Sequence, residues 1–189
     1  DVRLVGSEMC IRDSPCMAGV QVRESDGTLK ILTYDIAGFS DELIAQFVNQ
    51  TGTEVEFIKT DDAGGILDQM MLTKAAPQAD LMIGLDNTYL PTAIQNCLLM
   101  SHNVSDESFT QSSLEFYQGP LAVPFDEGDV CLNYDEDALA ADNMSVPTSL
   151  WNLTEPEWNG KMTFPSPMTS SPGRAFLAAT VDYLSLIHI

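Results

Sequence analysis

The stretch "ADLMIGLDN", Ala79 to Asn87, is a nearly uninterrupted apolar run closed by an acid and an amide. A half-buried strand alternates polar with apolar residues, whereas a continuous run suits a strand covered on both faces, the usual condition in a parallel sheet. Parallel strands need crossover connections, so helices are expected upstream. In "ILDQMMLTK" (Ile66 to Lys74), Ile66, Leu67, Met70 and Met71 share one helical face, and "TDDAGG" before it reads as a loop. "EVEFIK" (Glu54 to Lys59) alternates with the period of a half-buried strand. "SDELIAQFVNQTG" places Leu43, Ile44, Phe47 and Val48 on one face, with Ser40 as N-cap, Asp41 and Glu42 at the positive end of the dipole, and Gly52 as the stop. "LKILTYDIAG" (Leu29 to Gly38) opens as a strand. Strand, helix, strand, helix, strand is the order of a right-handed α/β unit on a parallel sheet.

Open sheets of this kind bind ligands beyond the carboxyl ends of their strands. The first strand leads into Tyr34 and Asp35, the second into Asp61 and Asp62, and the third into Asp86 and Asn87. Three acidic clusters therefore converge on one rim. Asp and Asn are also ordinary turn formers, so a site and a set of turns both fit.

Beyond a polar, irregular stretch at 101–118, "GPLAVPFDEGDVCLNYDED" (Gly119 to Asp137) reads as a long extended segment broken at Pro124 and Gly128, of the kind that passes between domains. A short helix is expected around Glu136 to Ala141. "PSPMTSSPGRAFLAATVDYL" (Pro165 to Leu184) ends in an amphipathic helix with Phe176, Leu177, Val181 and Leu184. Ser171 is the expected N-cap there, with Pro172 and Gly173 as its first helical residues. A helix start of that kind also receives anions, because its first N–H groups are unpaired and its dipole is positive. Ser170 and Ser171 are therefore either caps or ligand contacts, and Arg174 reads as a solvated surface residue.

With 28 acidic against 8 basic residues, the 189-residue chain carries a net charge of −20. Duplexes and anionic membranes are bound through Lys and Arg, so both are repelled and no nucleic-acid partner is expected. No stretch approaches the roughly 18–20 apolar residues of a membrane span. Cys97 and Cys131 either stay buried thiols or pair in an exported protein, and Cys16, in "SPCMAG", is a candidate lipid-anchor cysteine. Asn-x-Ser/Thr triplets at Asn49, Asn103, Asn143 and Asn152 fit an exported chain.

Together, "LKILTYD", "TDDAGGILDQM", "ADLMIGLDN", "VPFDEGDVCLNYD" and "PSPMTSSPG" resemble, in order and spacing, the thiamine-binding periplasmic proteins, the solute-binding components of an ABC importer. "ADLMIGLDN" followed by "VPFD" is the most specific part, and the likeness covers Leu29 to Leu184. The resemblance implies an α/β, two-lobed periplasmic-binding-protein-like fold of type II, here a truncated fragment with the second lobe incomplete. Residues 29–122 would be the first lobe and 123–184 the hinge crossover and the start of the second. The ends, Asp1 to Ser14 and 185–189, resemble translated sequencing-adapter sequence, so 1–28 is expected to be largely artefactual or disordered and 185–189 an artefactual tail.

The same resemblance implies thiamine, thiamine phosphate or thiamine diphosphate as ligand, an ABC permease as partner, a monomer, and a periplasmic or extracellular location with a possible lipid anchor. It places ligand contacts on Asp62 and Ala63, on Ser170 and Ser171, and on Tyr34 and Asp35. Alanine stands at 63 where the family carries glycine, and Glu127 and Asp129 stand where it carries aromatic residues. No cofactor, catalytic group or resident metal is implied.

Against an enzyme, the sole histidine between the two suspect ends is His102, in a polar linker, and neither a "GxSxG" elbow, a Walker-type loop nor a "CxxC" occurs. The alternative within the same superfamily is a binder of ferric iron or another small solute, for which Tyr34, Asp62 and Asp86 offer oxygen ligands. A calcium-stabilised acidic surface module is a third reading.

Overall fold

The computed structural model describes residues 16, 20–34, 38–105, 107, 109–116 and 119–184. It is a mixed α/β structure with a parallel sheet. The chain resolves into two compact units, one ending at Phe125 and the other beginning at Asp126.

In the first unit, β1 (Thr28–Tyr34), α1 (Asp41–Thr51), β2 (Glu54–Thr60), α2 (Ala63–Leu72), β3 (Leu81–Met82) and α3 (Leu90–Gln95) follow one another, with a further short helix, α4, at Gln111–Phe116. The strands lie in the order β2-β1-β3, all parallel, so β1 is central. Tyr34 pairs with Thr60 at the carboxyl end of one ladder, and Leu32 pairs with Met82 in the other. β3 is much shorter than its apolar run: only Leu81 and Met82 enter the ladder, prolonged by the Asp80 N–H donating to the Lys30 carbonyl and the Ile83 N–H to the Leu32 carbonyl, each at 2.9 Å. As an edge strand it is covered less than expected, and Leu81 is 46 % exposed.

The core follows from these elements. Ile31 and Leu32 are buried on β1, Ile66 and Leu67 on α2, and Ala63, Leu67, Tyr89 and Ala93 form one apolar cluster with Leu85, Leu98 and Leu99 packed against it. Each fully buried aliphatic side chain contributes roughly 1.5–3 kcal/mol. α2 begins at Ala63, three residues before the apolar periodicity, so the "AGG" read as loop is its first turn. Its inward face then becomes Ala63, Ile66, Leu67 and Met70, at i, i+3, i+4 and i+7, which turns Met71 outward at 42 % exposure.

α1 has the expected limits, with the Ser40 hydroxyl accepting from the Leu43 N–H and Gly52 closing it at φ 70°. Its apolar stripe is only partly used. Ile44 and Val48 are half-buried, while Leu43 and Phe47 stay exposed, because α1 rests on β2, the other edge strand.

Cys97 is bonded to Cys16, not to Cys131, which is a free, exposed thiol. Spacing alone cannot select among such partners; the bond joins positions 81 residues apart. It also occupies the sulfur on which a lipid at Cys16 would have to sit. A second fastening holds the same N-terminal arm. The Arg23 guanidinium grips the Asp80 carboxylate through Nε at 3.1 Å and Nη2 at 2.7 Å, and also meets Asp26. This hydrogen bonding, chiefly from Arg23, holds the Asp80 carboxyl below its ordinary 3.8.

In the second unit lie α5 (Glu136–Ala141), two short 3₁₀ turns at Asn152–Thr154 and Pro156–Trp158, and α6 (Ser171–Tyr183). Asp135 caps α5 by accepting from the Ala138 N–H, and the Phe164 and Phe176 rings pack 5.1 Å apart. Val130, Leu132 and Tyr134 lie outside any ladder and remain about half exposed.

Candidate functional site

The rim at the carboxyl ends of the parallel strands is built around Asp62. β2 ends at Thr60 beside Tyr34, and α2 starts three residues later, at Ala63. Asp62 is extended (φ −157°) and its Oδ1 accepts from the Gly65 N–H at 2.9 Å, which satisfies one of the orphan donors of the helix start. Its main-chain carbonyl receives the first helical bond, from the Ile66 N–H at 3.1 Å. The same carbonyl accepts from the Thr60 hydroxyl at 3.0 Å, and that hydroxyl also reaches the Thr33 carbonyl at 3.3 Å. The half-buried Asp62 thus has one carboxylate oxygen tied down; the other makes no hydrogen bond among the described residues. Ala63 turns its methyl group into the core cluster, so only its backbone faces the helix start.

Tyr34, half-buried at the end of β1, lies over Gly84. Gly84 has φ +108°, and a Cβ there would overlap the Tyr34 ring, so both the conformation and the close approach require glycine. Gly84 is not among the expected site residues, although a glycine inside an apolar strand run does signal close backbone approach. Asp35 lies outside the described residues. Asp61 is exposed.

Asp86 belongs to a turn. Its Oδ1 accepts from the Thr88 N–H and hydroxyl, each at 2.6 Å, and from the Tyr89 N–H at 3.2 Å, which shapes the entry to α3. Among the described residues no group of three or more His, Cys, Asp or Glu is gathered that could hold a metal ion.

Ser170 and Ser171 lie in the other unit, at the start of α6. Ser170, not Ser171, is the N-cap: it is extended, and its hydroxyl accepts from the Gly173 N–H at 3.5 Å. Ser171 is therefore the first helical residue and Pro172 the second, where a missing N–H costs nothing. Gly173 is buried against the chain at 165–166; a Cβ there would run into the Pro165 carbonyl and come within 2.9 Å of the Ser166 backbone. The glycine thus has a packing reason independent of any ligand. A separate apolar cavity of about 200 Å³ in the same unit is lined by Val130, Cys131, Leu132, Leu150, Ala175, Phe176 and Ala179 and offers no charged group.

No family model matches the chain. It is similar to the thiamine-binding periplasmic protein of Salmonella typhimurium, at 27 % identity over 124 residues, 66 % of this chain and 36 % of the relative. The protein of the same name from Brucella suis is 27 % identical over 158 residues, 82 % of this chain and 46 % of the relative. That from Haemophilus influenzae is 29 % identical over 124 residues, 65 % and 35 %. The chain thus spans less than half the length of the curated relatives it matches.

Proposed function

We propose that this chain is a member of the thiamine-binding periplasmic proteins and serves as the solute-binding component of an ABC importer. The carrying observation is the Asp62 carboxylate, fixed through one oxygen at the strand-end rim of a chain similar to proteins of that name. In this reading the cationic ring of thiamine meets Asp62, with Tyr34 and Asp35 beside it. The backbone at Ala63 accompanies the carboxylate. Ser170 and Ser171 receive the hydroxyethyl end, or the phosphate of thiamine phosphate or thiamine diphosphate, at the positive end of α6.

Binding proceeds without bond-making. Residues 29–122 and 123–184 act as parts of a two-lobed body whose closure on the ligand populates the state that a membrane permease recognises. A monomer in the periplasm fits this role. The Cys16–Cys97 bond supports an oxidising compartment, since disulfides persist there, and leaves Cys16 no sulfur for a lipid.

Isothermal titration of thiamine into the protein tests the reading. Saturable one-to-one binding that disappears in Asp62→Ala is expected. An absence of heat with thiamine and with both phosphates overturns the ligand assignment, and ferric iron then becomes the next titrant.

A further inference from the structure

We propose that Thr60 is a positioning residue for the Asp62 carboxylate, an inference that rests on the assignment of Asp62 to the ligand. The hydroxyl of Thr60 is placed between two carbonyls. It lies 3.0 Å from that of Asp62, the N-cap of α2, and 3.3 Å from that of Thr33 on the central strand. Thr33 is completely buried, so the bracket is anchored in the most solvent-excluded part of β1. The single hydroxyl proton, shared between both acceptors, pins the turn from β2 into α2 to the middle of the sheet.

This determines how Asp62 can stand. Its carbonyl is held by Thr60 from the strand side and by the Ile66 N–H from the helix side. With the main chain clamped at both ends, Oδ1 falls on the Gly65 N–H at 2.9 Å and the second oxygen is left to a ligand. Gly65 permits the arrangement: a Cβ there would lie 3.2 Å from the Thr60 Cβ and 3.4 Å from its hydroxyl oxygen. Thr60, Asp62 and Gly65 therefore form one interlocked unit in which threonine sets the carboxylate without touching the ligand. Threonine suits this task, because Ser and Thr hydroxyls reach main-chain acceptors close by in sequence.

The test compares Thr60→Val, which keeps the shape and removes the hydroxyl, with Thr60→Ser, which restores it. Two quantities are read on the 189-residue protein: the thiamine dissociation constant and the hydrogen-exchange protection of the Gly65 amide. Loss of one net hydrogen bond predicts that Thr60→Val binds about fivefold more weakly and loses a similar factor of Gly65 protection. Thr60→Ser should recover both. If the valine variant keeps wild-type affinity and Gly65 protection, or the serine variant fails to rescue, the proposal is wrong. Should the unaltered protein not bind thiamine, the ligand reading falls and the Gly65 amide still decides the bracket.

Discussion

Two helices in this molecule begin in the same way and for different reasons. α2 starts Asp62-Ala63-Gly64-Gly65 and α6 starts Ser170-Ser171-Pro172-Gly173; each has an oxygen-bearing cap whose side chain accepts from the N–H of a glycine three residues on. In α2 the bond is 2.9 Å long and the glycine makes room for the side chain of Thr60. In α6 it is 3.5 Å and the glycine makes room for backbone at Pro165 and Ser166. The first start is organised around its capping carboxylate, the second around the close approach of two stretches of main chain. A polar capping motif alone therefore does not reveal whether the cap or the packing governs the geometry of a helix start.

The unit that carries α2 is also the one that is stapled, and removing the staple should have the largest effect. Closing a loop that spans 81 positions stabilises a fold by roughly 4–5 kcal/mol in the chain-entropy account. Cys16→Ser with Cys97→Ser should therefore lower the melting temperature of the first unit markedly in oxidising buffer and leave no difference from wild type under reductant. A change confined to the second unit would contradict the pairing.

Gly173→Ala should come next, at about 1–3 kcal/mol, because backbone cannot step aside as a side chain can. Gly65→Ala should cost clearly less, since its Cβ would lie 3.2 Å from the Thr60 Cβ, against 2.3 Å from the Pro165 carbonyl at Gly173. Equal losses in a denaturant titration would erase the distinction drawn between the two helix starts.

The caps sharpen the comparison further. Asp62→Ala should cost about 1 kcal/mol of stability and Ser170→Ala less, given its longer bond. The Asp62 variant should lose thiamine binding beyond anything its stability explains.

The smallest effect concerns pH. Asp80 is held below its ordinary 3.8 by Arg23, so it binds fewer protons folded than unfolded across that range. Its contribution is present above the ordinary 3.8 and is lost as pH falls below it, through the depressed folded value. Arg23→Ala should flatten that part of the acid limb in a melting-temperature series, and an unchanged limb would show that the Arg23–Asp80 pair does not couple to folding.

Much of this architecture was legible in the chain. The limits of α1 follow from Ser40 and Gly52, and the order of strands and helices from apolar periodicity, because each depends on residues within a few positions. Asp62 was legible as a strand-end carboxylate. What it does with each oxygen was not, since that depends on Thr60 reaching back to Thr33, 27 residues away. The N-cap of α6 was misplaced by one residue for a similar reason: the position of Gly173 is decided by the chain at 165–166, not by the serine pair.

The sequence by itself determined the parallel α/β order and the first helix with both its ends, because periodicity and capping are local properties. Tertiary structure decided which cysteine partners Cys97, how little of "ADLMIGLDN" enters the sheet, that Gly84 must lie under Tyr34, and which oxygen of Asp62 is held. Each of those depends on surfaces brought together from distant parts of the chain, where steric fit and hydrogen-bond satisfaction override local preference.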